Sequence, residues 1–145
     1  MSPRRWTITV HATGQPRDVD VVLYDKVADM RRAASRFARV VGEAPGSFSD
    51  AAGVCHGFQR IRVYADGTEK EHPLVSIVRL HKGALSPLIV SHEISHAAQH
   101  VYGLDMVKDD DLARNHFDAG NEDYAHLFGE LFAAAWNVLA PPTDN

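Results

Sequence analysis

The five residues His92-Glu93-Ile94-Ser95-His96 read H-E-x-x-H, and the residues around them favour a helix. In a helix, side chains four positions apart lie on one face, so His92 and His96 can hold one metal ion between them. Glu93 lies roughly 100° further round the helix. A carboxylate there can take a proton from a water that the metal activates. The motif therefore predicts a zinc ion held by two histidines, with Glu93 as the general base.

Signals for a helix stand on both sides of the motif. Ser86 can cap the first turn, and Pro87 suits the first helical position. Gly103 sits where a C-terminal glycine ends many helices, so we expect the helix to stop before it. With nine histidines in the chain, a chance match is the alternative, but chance would not supply this context. The predicted core stripe lies opposite the two histidines and comprises Val90, Ile94, Ala97 and Val101.

The composition limits the classes of protein to consider. A chain of 145 residues with 45% hydrophobic and 23% charged residues predicts one folded domain over residues 1–145. The net charge of −4 offers no electrostatic footprint for nucleic acid or an anionic membrane. The single cysteine, Cys55, excludes an intramolecular disulfide and a cysteine-based zinc site. With no signal peptide or membrane-spanning stretch, we expect a cytoplasmic protein.

The N-terminal half predicts a strand and a helix. Trp6–Val10 alternates and is rich in β-formers, which indicates a strand. Val19–Leu23 can be a short strand or the approach to a helix, and residues 24–41 have helical periodicity. Residues 42–57 are rich in Gly, Ala, Ser and Pro and indicate a loop. Within this loop we expect Cys55, beside His56, to be an idle thiol because no third partner is evident.

The second half predicts a small sheet and two helices. Residues 58–65 alternate, Asp66-Gly67 signals a hairpin turn, and residues 68–72 return as a polar strand. Residues 74–81 indicate a further strand, which leads into the motif helix. The last helix is predicted over residues 121–139. The fold class is therefore α+β, with an N-terminal helix and a small mixed or antiparallel sheet before the motif helix and a C-terminal helix.

A catalytic zinc site needs about three protein ligands, and Glu122 is the favoured third ligand. It opens the last helix, and Gly129 and Ala133 share its helix face to within about 20°. Small residues on that face would let the last helix approach the motif helix closely. The alternative is a first-turn glutamate that only interacts with the helix dipole.

Other residues can compete for the third position. His116 is the next candidate, followed by Glu130, on the ground of ligand type and reach. His100 follows His96 by four residues, but one straight helix cannot place all three imidazoles on one ion, since the third is about 12 Å along from His92. We therefore expect His100 to support the site or to lie on the surface.

The motif together with Asn121-Glu122-Asp123-Tyr124-Ala125 resembles the gluzincin metallopeptidases. The short length is similar to that of the minigluzincins and of the small ImmA/IrrE-like metallopeptidases of bacteria and phages. The resemblance implies a small zincin-like domain in which His92, His96 and Glu122 bind Zn²⁺ and Glu93 is the catalytic base. It covers roughly residues 86–139, and only H-E-x-x-H is specific. One position departs, because His126 stands where the family has an acidic residue that orients the metal ligands.

The resemblance implies hydrolysis of peptide bonds in a protein or peptide substrate. Two alternatives stay open: a SprT-like protease with His116 as a third histidine, and a catalytically inactive zinc-binding regulatory protein. We favour an enzyme because Glu93 supplies a base, whereas structural zinc sites are usually closed and rich in cysteine. The strand over residues 74–81 can form the edge of the cleft and pair with an extended substrate. The expected oxyanion donor is one of four residues: Tyr124, His126, Tyr102 or His116.

Overall fold

The computed structural model describes residues 2–43, 48–107 and 122–140. It is a mixed α+β structure, which confirms the predicted fold class at this level. The strands are β1 Arg4–Val10, β2 Arg17–Tyr24, β3 Gly53–Gly57, β4 Ile61–Val63, β5 Glu69–Glu71 and β6 Leu74–His81. The helices are α1 Val27–Val40, α2 Pro87–Met106 and α3 Glu122–Leu139, and one 3-10 turn, Lys82–Ala84, precedes α2.

Four strands form a sheet in the order β1-β2-β6-β3. The β2–β6 pair is parallel, whereas β1–β2 and β3–β6 are antiparallel. Every residue of β2 is buried except Asp18, which is half-buried. Val19–Leu23 is apolar except for Asp20, and such a segment suits a strand that is buried on both faces. β6 is central as well. No described strand pairs with the far side of β3, which we call the free edge of β3.

Helices cover both faces of this sheet. On one face α1 buries Met30 and Ala34 against Val22, Val54 and Ile77. The other face packs against α2 and α3. Their shared core contains fully buried residues from both helices: Val90, Ile94, Ala97, Val101, Leu127, Leu131 and Ala135. The stripe predicted for the motif helix is therefore confirmed.

The β4–β5 hairpin is separate from the sheet and exposed along both strands. Its turn is the predicted Asp66-Gly67, where Gly67 has a φ of +84° that an L-residue rarely adopts. Glu71 ties the hairpin to the body of the protein through an ion pair of 2.9 Å with Arg17. This contact helps to stabilise the hairpin, because an isolated two-stranded hairpin is at best marginally stable in water.

Several predicted boundaries are wrong. The loop predicted over residues 42–57 contains β3, and the strand predicted over residues 58–65 is only Ile61–Val63. The helix α2 continues through Gly103 to Met106, because the residues after Gly103 have tertiary partners. Leu104 and Met106 pack against the core, and Asp105 binds Arg17.

Some predictions fall outside the described residues. These include the connection over residues 108–121, with His116, and the proline pair that follows α3. None of the helices in the described ranges combines the length and apolar character that crossing a membrane requires.

Candidate metal centre

The two motif histidines lie together on the exposed side of α2. The helix begins as predicted, because the Ser86 side chain accepts a hydrogen bond from the backbone N–H of Ile89 and Pro87 occupies the first turn. His92 Nε2 and His96 Nε2 are 3.2 Å apart, with their rings nearly perpendicular at 83°. Two imidazole nitrogens on a tetrahedral zinc, each 2.0–2.1 Å from the metal, are about 3.3 Å apart. The distance between the two nitrogens therefore matches that of two imidazole ligands on one zinc ion.

Glu93 is buried beside this pair, with only 7% of its surface exposed. Burial raises the pKa of its carboxyl group above the ordinary value, and the charges of His92 and His96 act in the opposite direction. A Cβ on Gly53 of β3 would lie 2.8 Å from Glu93 Cγ. The absence of a side chain at residue 53 thus makes room for the glutamate.

β3 forms the wall of the site opposite the two histidines. Because side chains alternate along a strand, Gly53, Cys55 and Gly57 share the face toward α2. A Cβ on Gly57 would clash with the His100 ring, and the carbonyl of Phe58 accepts a hydrogen bond of 3.1 Å from His100 Nε2. These contacts fix β3 close to α2 at both of its ends.

An open cleft of about 450 Å³ lies between the motif and β3. It is lined by Phe48, Gly53, Val54, Cys55, Gly57, His92, Glu93, His96 and His100. Its edge strand is β3, so the prediction that residues 74–81 form the cleft edge is wrong. β6 is bonded to β2 on one side and β3 on the other, which leaves it no free edge.

Sequence reasoning missed β3 because glycines flank its three central residues. Val54-Cys55-His56 is too short a run to outweigh a composition typical of loops. The sequence did contain one signal for this strand, which is the spacing of its two glycines. Gly53 and Gly57 stand at either end of the short run, at a spacing that places both on the same face of a strand.

Cys55 lines the cleft but is not an activated nucleophile. Its sulfur lies 3.4 Å from Ser76 Oγ, and burial raises the pKa of the thiol to about 12. His56 points to the opposite face of β3, where its ring contacts Phe37 at a centroid distance of 5.2 Å. The expectation that Cys55 and His56 do not act as a pair therefore agrees with the structure.

The start of α3 lies beside the middle of the motif helix. The hydroxyl groups of Tyr124 and Ser95 are 3.3 Å apart, and the Tyr124 ring packs edge-on against Tyr102 at 5.7 Å. Glu122 begins α3 two residues earlier, and its side chain lies outside the described residues.

The close helix packing predicted through Gly129 and Ala133 is wrong. Both residues are exposed, and a Cβ on Gly129 would have no atom within 4 Å. The face of α3 that packs on the core carries larger residues, such as Leu127 and Leu131. The geometric argument for Glu122 therefore fails, and the resemblance remains as its support.

The other candidate residues are dispersed. His116 falls in the range 108–121 that the structure does not describe, and Glu130 is exposed on α3. His100 is turned toward Phe58, in agreement with the expectation that it is not a third ligand. Among the side chains that the structure describes, which do not include that of Glu122, there is no group of three His, Cys, Asp or Glu placed to hold a metal ion.

The candidate oxyanion donors that the structure describes differ in how exposed their side chains are. Tyr102 is only 1% exposed and belongs to the core, so it cannot reach a substrate in the cleft of this structure. Tyr124 is half-buried, and His126 is exposed.

No protein-family model, curated protein or solved structure matches this chain.

Proposed function

We propose that this protein is a zinc-dependent metallopeptidase with a zincin-like domain of the gluzincin type. The observation that carries the proposal is the 3.2 Å spacing of His92 Nε2 and His96 Nε2, next to a buried glutamate on the same helix. Two neutral imidazoles and a nearby carboxylate are the donor and base types that hydrolytic zinc sites use.

The proposed ligands are His92, His96 and Glu122. Glu122 is proposed from the resemblance alone; the first turn of α3, which it opens, contacts the motif helix through Tyr124 and Ser95. A SprT-like arrangement with His116 in place of Glu122 is the second candidate. A bound zinc ion would supply Lewis acidity, activating a water and polarising the scissile carbonyl.

In the proposed reaction Glu93 accepts the proton of the attacking water and passes it to the leaving amine. The carboxylate can do so because Gly53 leaves it space within the wall of the cleft. The contact with β3 also restricts its side chain, and a base held in place pays less entropy in the transition state.

The free edge of β3 is the proposed binding place for the substrate backbone. An edge strand presents unpaired N–H and C=O groups, and an extended peptide can add to it as another strand. β3 borders the cleft that contains His92 and Glu93. A substrate strand on this edge would therefore pass the motif, with a peptide bond facing the histidines.

The proposal is tested by comparing wild type with Glu93→Gln in a digest of a peptide library or a proteome. Since Glu93 acts as a base and not as a ligand, the variant should keep its zinc and lose turnover by a factor of order 10² or more. Undiminished cleavage by Glu93→Gln would refute the mechanism. A zinc-loaded wild type that cleaves nothing in these digests would favour the inactive, zinc-binding regulatory protein instead.

A further inference from the structure

The two faces of the β4–β5 hairpin carry different charges. Directly opposed residues of an antiparallel pair share a face, and side chains alternate along each strand. On one face Ile61 and Val63 stand opposite Glu71 and Glu69. The other face, which we call the basic face, comprises Arg60, Arg62, Tyr64, Thr68, Lys70 and His72.

The basic face has no carboxylate of its own. Within residues 59–73, all of which the structure describes, Glu69 and Glu71 lie on the other face. Asp66 is in the turn, where its carboxylate accepts a hydrogen bond of 2.9 Å from the backbone N–H of Thr68. Arg62 and Lys70 are directly opposed, an arrangement that normally destabilises a hairpin.

The cations of the basic face are exposed and partly held in position. The guanidinium group of Arg60 lies 5.7 Å from the centre of the Phe58 ring, and that of Arg62 lies 5.6 Å from the centre of the Tyr64 ring. In the described part of the chain, neither these arginines nor Lys70 has a salt bridge. Positively charged groups that are already oriented but unneutralised suit an anionic ligand.

The basic face is continuous with the candidate metal centre. Gly57 lines the cleft and also a depression of about 460 Å³, to which Phe58, Gln59 and Arg60 contribute. Glu43 lines this depression as well, with its carboxylate 3.4 Å from His56 Nε2. Gln59 and Arg60 in turn line a depression of about 740 Å³ along the hairpin, together with Arg62, Lys70 and His72. Glu71 also borders this depression, but its carboxylate is paired with Arg17 at 2.9 Å. A polypeptide on the free edge of β3 that continues past Gly57 therefore meets the basic face.

We propose that the basic face binds an acidic segment of the polypeptide substrate, next to the residues that pair with β3. This inference rests on the proposed function, because it assigns a substrate class to the same cleft. A nucleic acid is the less suitable ligand, because guanidinium groups already lie over the Phe58 and Tyr64 rings on which its bases would stack. If the substrate strand is antiparallel to β3, the acidic residues precede the paired segment, and if it is parallel they follow it.

The test measures binding of fluorescent peptides to the zinc-loaded Glu93→Gln protein by anisotropy. Each peptide has an extended neutral segment with four glutamates before or after it, and matched peptides carry four glutamines. One acidic peptide should bind about tenfold more tightly than its glutamine counterpart, with a preference that shrinks as salt is added. Arg62→Gln/Lys70→Gln should abolish the preference. The control, Arg36→Gln/Arg39→Gln, removes the same charge from exposed positions on α1 and should retain it.

The inference would be overturned by equal affinity for acidic and neutral peptides or by equal loss of preference in the control variant. Tighter binding of a single-stranded oligonucleotide that depends on Arg62 and Lys70 would overturn it as well. A photoreactive group in the neutral segment should label β3 or α2, and labelling elsewhere would also contradict it. The readout needs no turnover. A charge preference without cleavage by wild type would count against the proposed function alone, and cleavage without a charge preference would count against this inference alone.

Discussion

The side chain of Glu93 lies directly over the α-carbon of Gly53, so that a Cβ at residue 53 would be 2.8 Å from Glu93 Cγ and 3.2 Å from its carboxyl carbon. Glu93 is 7% exposed, and its side chain is the group that a Cβ at residue 53 would displace. The position of β3 and the position of Glu93, the proposed base, therefore depend on each other.

Gly53→Ala should push the Glu93 carboxylate out of position while His92 and His96 keep their metal. Displacing a catalytic group by about 1 Å can cost roughly 10² in rate. We expect the variant to retain the zinc content of wild type and to lose cleavage in the same digest used for Glu93→Gln. Gly129→Ala is the matched control, because a Cβ there meets no atom within 4 Å. Full activity of Gly53→Ala with wild-type zinc content would show that the contact does not position the base.

Gly129→Ala and Gly103→Ala should each stabilise the protein by about 0.5–1 kcal/mol, since alanine has the higher helix propensity. Both glycines lie inside helices, have no positive φ, and would place a Cβ in open space. Urea denaturation measures the change in the free energy of unfolding. A loss of stability in Gly129→Ala would support the original hypothesis that α3 packs closely against α2 through Gly129.

Arg17→Met should destabilise the protein by about 3–5 kcal/mol, because it leaves the carboxylate of Asp105 buried without a counter-charge. Arg17 Nε donates to both Asp105 oxygens at 3.1 Å, and the side chains are only 5% and 1% exposed. Arg32→Met is the control. It breaks the exposed ion pair with Asp29, which should cost at most about 1 kcal/mol.

The same cluster predicts how stability depends on pH. Burial raises the pKa of Asp105, but hydrogen bonds from Arg17 and Thr13 outweigh it and leave the pKa lowered. The pKa of Glu71 is lowered as well, chiefly by its hydrogen bond with Arg17. Carboxyl groups with a lowered folded-state pKa stabilise the protein above their unfolded pKa of about 4. This stability is lost as the pH falls through the folded-state values.

Urea denaturation at a series of pH values from neutral to about 3 would measure this loss. In Arg17→Met the loss should shrink or reverse, because the unpaired Asp105 is easier to bury when protonated. An unchanged pH profile in the variant would show that Arg17 does not set the pKa of these carboxyl groups.

The sequence predicted those parts of the molecule whose local signals and tertiary contacts agree. The motif helix was predictable from Ser86, Pro87 and the apolar stripe of α2. Because His92 and His96 both lie on this helix, no other element is needed to bring them together. The spacing of one helical turn suffices for this, so two ligands and the adjacent base were predictable from local geometry.

Long-range packing decided the rest. Gly53 and Gly57 suggested a loop, yet β3 forms because pairing with β6 and close contact with α2 require those positions to lack a side chain. Gly103 suggested a helix end, but the Arg17–Asp105 pair extends the helix past it. The face of α3 that contains small residues turned out to be exposed, because larger side chains such as Leu127 fill the core better.

Glu122→Ala should weaken zinc binding by more than the 10–100-fold typical of residues that merely support a ligand. It removes a charged donor that also neutralises the ion. Glu130→Ala is a matched control, with the same substitution at an exposed position of the same helix. A competitive chelator titration compares both with His116→Ala. If His116→Ala shows the large loss and Glu122→Ala the small one, the site is a three-histidine, SprT-like centre.

The measurement that tests the central claim most directly is the zinc content of the purified protein. Metal analysis of wild type should give about one zinc per chain, and His92→Ala and His96→Ala should each lose it. Circular dichroism of the variants would verify that they remain folded. The 3.2 Å contact between the two imidazoles would otherwise be a plain hydrogen bond on the surface of a helix. A wild type that takes up no zinc, or stoichiometric zinc that persists in both folded variants, would contradict the account.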